Sequence, residues 1–123
     1  MILDHVGFGV SDANKSKEFY SKALAPLGIA VVMEAEGWIG MGRDGRPQFW
    51  FGEAGRSARP IHLAFTARNR EEVRAFYAAA LEAGGKDNGA PGPRPHYHPD
   101  YYGAFVLDPD GHNIEAVCHA AEP

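Results

Sequence analysis

The stretch His5 to Gly28, HVGFGVSDANKSKEFYSKALAPLG, returns as His62 to Gly85, HLAFTARNREEVRAFYAAALEAGG. At an offset of 57 residues His5 falls on His62, Phe8 on Phe65, Phe19 on Phe76 and Tyr20 on Tyr77. Ala23 then falls on Ala80, Leu24 on Leu81 and Gly28 on Gly85. Self-similarity at a fixed spacing has to be read before any local assignment, because it sets the architecture. Each copy reads as a short strand carrying a histidine, a turn, and an amphipathic helix stopped by glycine.

Further along, the offset becomes 66 residues, and Gly42 to Phe49 lies against Asp108 to Glu115. Both segments place Asp-Gly between apolar runs, a strong short-range signal for a hairpin. The nine extra residues of the second copy fall between Asp87 and Tyr101, together with Pro91, Pro93, Pro95 and Pro99. Proline lacks the amide donor and clashes inside helices, so neither a helix nor a central strand fits there, and a surface loop is expected. Strands are expected at Ile2–Val10, Ile29–Glu34, Trp38–Met41, Gln48–Gly52, Ile61–Thr66, Tyr102–Leu107 and Asn113–Cys118, with an extended piece between Lys86 and Gly89. Ser11 or Asp12 can cap the first helix, whose apolar face is Phe19, Tyr20, Ala23 and Leu24. Asn69 with Glu72 resembles a capping box, and Val73, Phe76, Tyr77, Ala80 and Leu81 form the second helix's buried stripe. The order is strand, helix and three strands, used twice, which is an α+β fold with module one at about 1–55 and module two at about 58–119 of a single domain, 1–123.

The chain has 123 residues, 45% of them apolar and 23% charged, so it suits one globular domain rather than a fibrous or disordered chain. The net charge is −4 and no Lys/Arg stripe forms, so no nucleic acid is expected as a partner. No apolar run approaches membrane-spanning length, so no membrane is expected as a partner either. Met1 to His5 shows no basic region or cleavage site, and the single Cys118 can build no internal disulfide. A cytoplasmic protein is the expectation.

His5 and His62 hold matching places in the two copies. If the halves pack about a pseudo-twofold axis, their imidazoles face each other near it. Glu115 shares a strand face with Val117, an apolar residue that seeks the inside of a sheet. A carboxylate on an inner face is costly unless paired, and two imidazoles with a divalent cation would pair it. Two His and one carboxylate with open positions suit Fe, Mn, Ni, Co or Zn. The plainer reading makes the histidines half-buried strand residues bonded to backbone, with Glu115 in solvent.

The inserted segment gathers His96, Tyr97, His98, Tyr101 and Tyr102. Within it His98 and Tyr102 are the candidate catalytic residues for moving a proton or bonding an oxyanion; otherwise these rings cover the mouth of the site. Trp38, Phe49, Trp50 and Phe51 fill a sheet interior or a dimer contact, and any that face the site line an apolar wall. Gly7-Phe8-Gly9 lacks the third glycine of a dinucleotide fingerprint, so no nucleotide cofactor is expected. Cys118 is expected to be a packed, inert thiol, and His112 and His119 to be exposed.

On His5-Val6-Gly7, the Phe19-Tyr20 and Phe76-Tyr77 pairs, and the closing stretch Phe105 to Glu115, FVLDPDGHNIE, the chain resembles the vicinal oxygen chelate superfamily of glyoxalases, bleomycin-resistance proteins, fosfomycin-resistance transferases and extradiol dioxygenases. The resemblance spans His5 to Val117. It implies two βαβββ modules forming a U-shaped mixed-sheet half-barrel around a divalent metal held by His5, His62 and Glu115. It also implies a homodimer, because small two-module members pair. Glyoxalases add a fourth ligand on the last strand of module one; the 66-residue offset puts Phe49 there, and a slip of one puts Gln48 or Trp50 there. Neither Phe49 nor Trp50 can ligate, whereas Gln48 could through its carbonyl; three protein ligands are the expectation.

Two functions follow from these residues. One is a divalent-metal-dependent lyase or isomerase that acts on a small oxygenated, small-molecule substrate through Lewis-acid stabilisation of an enediolate-like anion, with a dioxygenase as an alternative. The other is a protein of the bleomycin-resistance type that binds and sequesters a small molecule without chemistry.

Overall fold

The computed structural model describes residues 3–55 and 60–121. Module one runs β1 (Val6–Gly9), α1 (Ala13–Ala23), a 3-10 turn (Ala25–Leu27), β2 (Ala30–Ala35), β3 (Trp38–Gly42) and β4 (Phe49–Gly52). Module two runs β5 (His62–Thr66), α2 (Arg70–Glu82), β6 (Lys86–Pro93), β7 (Tyr102–Leu107) and β8 (Asn113–Cys118). Each module forms one four-stranded mixed sheet, ordered β1-β4-β3-β2 and β5-β8-β7-β6. The first strand of each lies parallel to the last, and the remaining pairs are antiparallel.

Local chemistry explains the boundaries. Asp12 caps α1 by accepting the Lys15 amide, and Asn69 caps α2 by accepting the Glu72 amide. The Asp-Gly turns need residues in the left-handed region, supplied by Gly45 at φ 74° and Gly111 at φ 86°. The apolar alternation then sorts the sheet faces. Phe8 of β1, Ile39 and Met41 of β3, Phe49 and Phe51 of β4, and Ile114, Ala116 and Cys118 of β8 all enter one core. Leu63 and Phe65 of β5 pack against it. Rings cross between the modules, with Phe49 on Phe65 at 5.3 Å and Phe8 on His112 at 5.0 Å. Both sheets therefore turn an inner face to a shared core around α1 and α2, and an outer face away from it.

Polar struts reinforce that core. The Tyr20 hydroxyl of α1 donates to Asp108, and Ser11 donates its hydroxyl to Asp110 at 2.5 Å and its amide at 3.2 Å. Burial first, then the charge of Asp108, pushes the Tyr20 hydroxyl well above its ordinary value of 10.0. The folded state thus holds this proton more tightly than the unfolded chain does. The stability it brings is complete below about pH 10 and is lost as pH rises through and beyond that value. In alkaline melts, Tyr20→Phe is expected to flatten the decline above pH 10. An unchanged alkaline slope would mean that another group governs it.

Four expectations need correction. The proline-bearing segment is a strand as far as Pro93, not a loop from Asp87. It is an edge strand with two register shifts, at the bulges where its prolines and glycines are tolerated. Leu81, matched to the buried Leu24, is instead 36% exposed, because the two helices are not buried to the same depth. His112 is buried, not exposed: its Nδ1 accepts the Ile61 amide at 3.0 Å and its own amide donates to Asp108. The first strand begins at Val6, not Ile2, and Ile2 lies outside the described residues. Cys118 is packed and His119 exposed, as expected.

Candidate metal centre

The pairing of β5 with β8 sets His62 beside Asn113 and Ala64 beside Glu115. His62 and Glu115 thus share the outer face of this sheet, one residue pair apart, and their side chains meet. This is not the inner face expected of Glu115, because Ile114, Ala116 and Cys118 take the core side. His62 Nε2 lies 3.0 Å from Glu115 Oε1. The other ring nitrogen, Nδ1, is 3.0 Å from the Asn113 carbonyl oxygen. A carbonyl can only accept, so Nδ1 carries the proton. In the neutral ring the Nε2 lone pair then faces a carboxylate oxygen, two acceptors at hydrogen-bond distance. A second proton on the ring or a shared cation resolves that conflict, and a backbone carbonyl on Nδ1 is how metal-binding histidines are commonly oriented.

Glu115 is only 1% exposed. Its second oxygen accepts the hydroxyl of Tyr101, the residue just before β7. Burial, followed by the hydrogen bond and charge of Glu115, holds that hydroxyl far above its ordinary value of 10.0 and keeps it protonated. No Lys or Arg pairs with Glu115 among the described residues, so a charge that is expensive to bury is met only by a phenol and an imidazole. This donor set fits a divalent cation. Gly103 makes room for the Glu115 and Tyr101 side chains: a Cβ there would come within 3.0 Å of Glu115 Oε2 and 3.1 Å of the Tyr101 ring.

His5 does not join this pair. Its Nδ1 lies 2.8 Å from Asp4, and among the described residues no three His, Cys, Asp or Glu side chains converge on one point. His5 and Leu63 line one groove between the modules, so His5 is near β5 without reaching its outer face.

The two catalytic candidates lie elsewhere. Tyr102 points to the inner face, where its hydroxyl accepts from Arg74 at 3.2 Å and Arg70 covers its ring. His98 is exposed, with Nδ1 accepting the Asp100 amide and its ring edge-on to His119. Strand alternation separates the two neighbouring tyrosines, and Tyr101 is the one that reaches Glu115. The in-phase positions Gly103 and Phe105 could have indicated this, since Phe105 is the residue opposite Glu115 in the hairpin.

Strand register also decides the fourth ligand position. Glu115 pairs with the residue two beyond His62, and the residue two beyond His5 is Gly7, which pairs with Trp50. Trp50 therefore occupies in module one the place that Glu115 occupies in module two. Phe49 faces the core. The outer face of the first sheet offers an indole where a fourth ligand would stand.

The sequence profile of the Glyoxalase/Bleomycin resistance protein/Dioxygenase superfamily matches residues 2–116. Among solved structures, a glyoxalase/bleomycin resistance protein from Albidiferax ferrireducens is 30% identical, with a TM-score of 0.85 over 96% of this chain and 99% of that one. A glyoxalase-related enzyme from Fulvimarina pelagi is 22% identical, with a TM-score of 0.73 over 96% and 87% of the two chains. An oxidase is 20% identical, with a TM-score of 0.67 over 100% and 94%. These last two likenesses speak for the fold alone. No significantly similar protein was found among curated proteins.

Proposed function

Because the chain belongs to the Glyoxalase/Bleomycin resistance protein/Dioxygenase superfamily, we propose that it is a divalent-metal-dependent enzyme of lyase or isomerase type acting on a small oxygenated molecule. Its metal site is completed by a second copy of the chain. His62 and Glu115 come from one copy and His5 from the other. The observation that carries this reading is the buried Glu115 carboxylate 3.0 Å from Nε2 of His62, with no Lys or Arg paired to it among the described residues.

The same reading accounts for His5. The outer faces of the two sheets point away from the shared core, so one chain does not bring its own module faces together. Among the described residues β1 pairs only with β4, and β5 only with β8, which leaves one edge of each strand to continue a sheet with another chain. A twofold homodimer that joins β1 of one copy to β5 of the other supplies the missing imidazole twice.

A bound Fe, Mn, Ni, Co or Zn ion would supply Lewis-acid withdrawal of charge from the substrate's oxygens. The side chains do the rest. Glu115 contributes the negative charge that the cation balances. Tyr101 occupies its second oxygen and leaves the first directed at His62. The Tyr101 hydroxyl remains protonated at neutral pH with its one hydrogen committed to Glu115, so it positions the carboxylate and is no base. Trp50, which stands in the fourth-ligand position, cannot ligate, so His62, Glu115 and the second copy's His5 would hold the ion.

Metal analysis of purified protein tests this. The wild type is expected to hold about one divalent ion per chain and His62→Ala to lose it, while the two proteins compared metal-free should differ little in melting temperature, because His62 is half exposed. Tight small-molecule binding by metal-free protein, unchanged in His62→Ala, would instead identify a sequestering protein.

A further inference from the structure

We propose that the ligand of this site is a planar aromatic anion, its ring face resting on Trp50 and its charge meeting Arg94. This rests on the two-copy site above, because Trp50 comes from the first sheet and Arg94 from the second.

The first observation is a glycine floor. A Cβ at Gly40 would lie 2.8, 2.9 and 3.0 Å from three consecutive carbons of the Trp50 six-membered ring. A point in the ring plane cannot be so nearly equidistant from three consecutive carbons, so the indole lies with its face on the strand. A Cβ at Gly52 would lie 2.7 and 3.0 Å from the two fused carbons of Trp38. Gly7, beneath Trp50, leaves only 3.3 Å to that residue's Cβ. Small residues at three adjacent outer-face positions let two indoles lie down on the sheet. Both are half-buried, and no other aromatic ring stacks on either among the described residues. A flat π surface of this kind selects flat partners.

The second observation is charge. On the outer face of the second sheet His62 stacks on Phe105 at 6.1 Å, and the Arg94 guanidinium lies over the same Phe105 ring at 5.5 Å. Arg94 is held there by the carbonyls of Gly92 at 2.8 Å and Ala90 at 2.9 Å, on space left by Gly89 and Gly92. These carbonyls orient the guanidinium without neutralising it, and no carboxylate pairs with it among the described residues. The half-buried positive charge shares a face with the Glu115–His62 pair. An anionic group on the ligand complements it. Trp50 stands where Glu115 stands in the other module, so a ring held on the indole lies at the site and not at its margin.

Calorimetric titration of the full chain tests this with three probes: 2-naphthoate, its saturated analogue decahydro-2-naphthoate, and the uncharged 2-naphthalenemethanol. Each titration is run metal-free and with Mn(II). The expected result is that 2-naphthoate binds at least about tenfold more tightly than either analogue. Trp50→Leu should remove the preference for the flat acid over the saturated one. Arg94→Gln should remove the preference for the acid over the alcohol and spare the preference for flatness. Trp50→Phe, which keeps a smaller ring, should fall between, and it replaces the leucine variant if that one does not fold. Equal affinity for the flat and saturated acids overturns the proposal. So does a Trp50→Leu protein that sediments as a monomer yet binds 2-naphthoate as before, since the indole would then be a contact between copies. Loss of metal binding with the naphthoate preference intact would overturn the metal reading and leave the aromatic site standing.

Discussion

Replacing Glu115 with Gln should lower divalent-metal affinity by at least about 100-fold, because changes beyond the direct ligands alone commonly cost 10–100-fold and Glu115 supplies the only negative charge of the set. The substitution keeps the side-chain size and an oxygen for the Tyr101 hydroxyl. It also removes the acceptor-on-acceptor conflict with His62, since the new amide can donate to Nε2. Metal-free Glu115→Gln is therefore expected to melt no lower than metal-free wild type. Wild type should gain stability from added metal and the variant should not. Equal metal-induced stabilisation of the two proteins would remove Glu115 from the site.

The second large effect lies in the struts between modules. Asp108 is buried and accepts the Tyr20 hydroxyl from module one together with the amides of Asp110 and His112. Asp108→Ala leaves those three donors without their partner in a buried place. At roughly 1–3 kcal/mol for each orphaned group, the loss is expected to be about 3 kcal/mol or more, a large share of a small domain's stability. Denaturant melts measure it. A loss under about 1 kcal/mol would show that water replaces the carboxylate and that the strut is weak.

The repeat was legible because its helix and strand positions carry the same side chains at one offset. Phe19 and Phe76 are both fully buried, and both helices begin at an Asx cap. Tyr20 and Tyr77 match in sequence yet differ in depth. The first is buried on Asp108, and the second is half-buried on Asp87. Periodicity reports which face a residue is on, not how deep that face lies. The same limit explains His112: a histidine in an Asp-Gly turn reads as exposed, and only the packing of β1 on that turn buries it against Phe8.

Within the site, His62 was legible from its place in the repeat and Glu115 from its place in the closing hairpin, but that the two share a face follows only from the pairing of β5 with β8. The partner of Glu115 was not legible. His98 and Tyr102 are residues of suitable chemistry in the right segment, but choosing among neighbours there requires the phase of β7, and the insertion before it hides where that strand begins. The fourth-ligand position was open for a similar reason. The loop before β4 (43–48) is one residue longer than the loop before β8 (108–112), a difference the helix repeat does not report, so the 66-residue offset pointed to Phe49 until pairing with β1 singled out Trp50.

The separation of His5 from His62 and Glu115 is the feature on which the two-copy site depends, and mixing two inactive chains tests it directly. His5→Ala and Glu115→Ala chains are each purified, confirmed to bind no metal, and exchanged by mild unfolding and refolding together. In a dimer whose sites span two copies, the mixed species has one site with all three ligands and one with neither His5 nor Glu115. The account predicts that metal binding returns to about half the sites of the mixed dimer while each parent remains empty. Mixed dimers that form and still bind no metal would contradict it, because all three ligands would then have to come from a single chain.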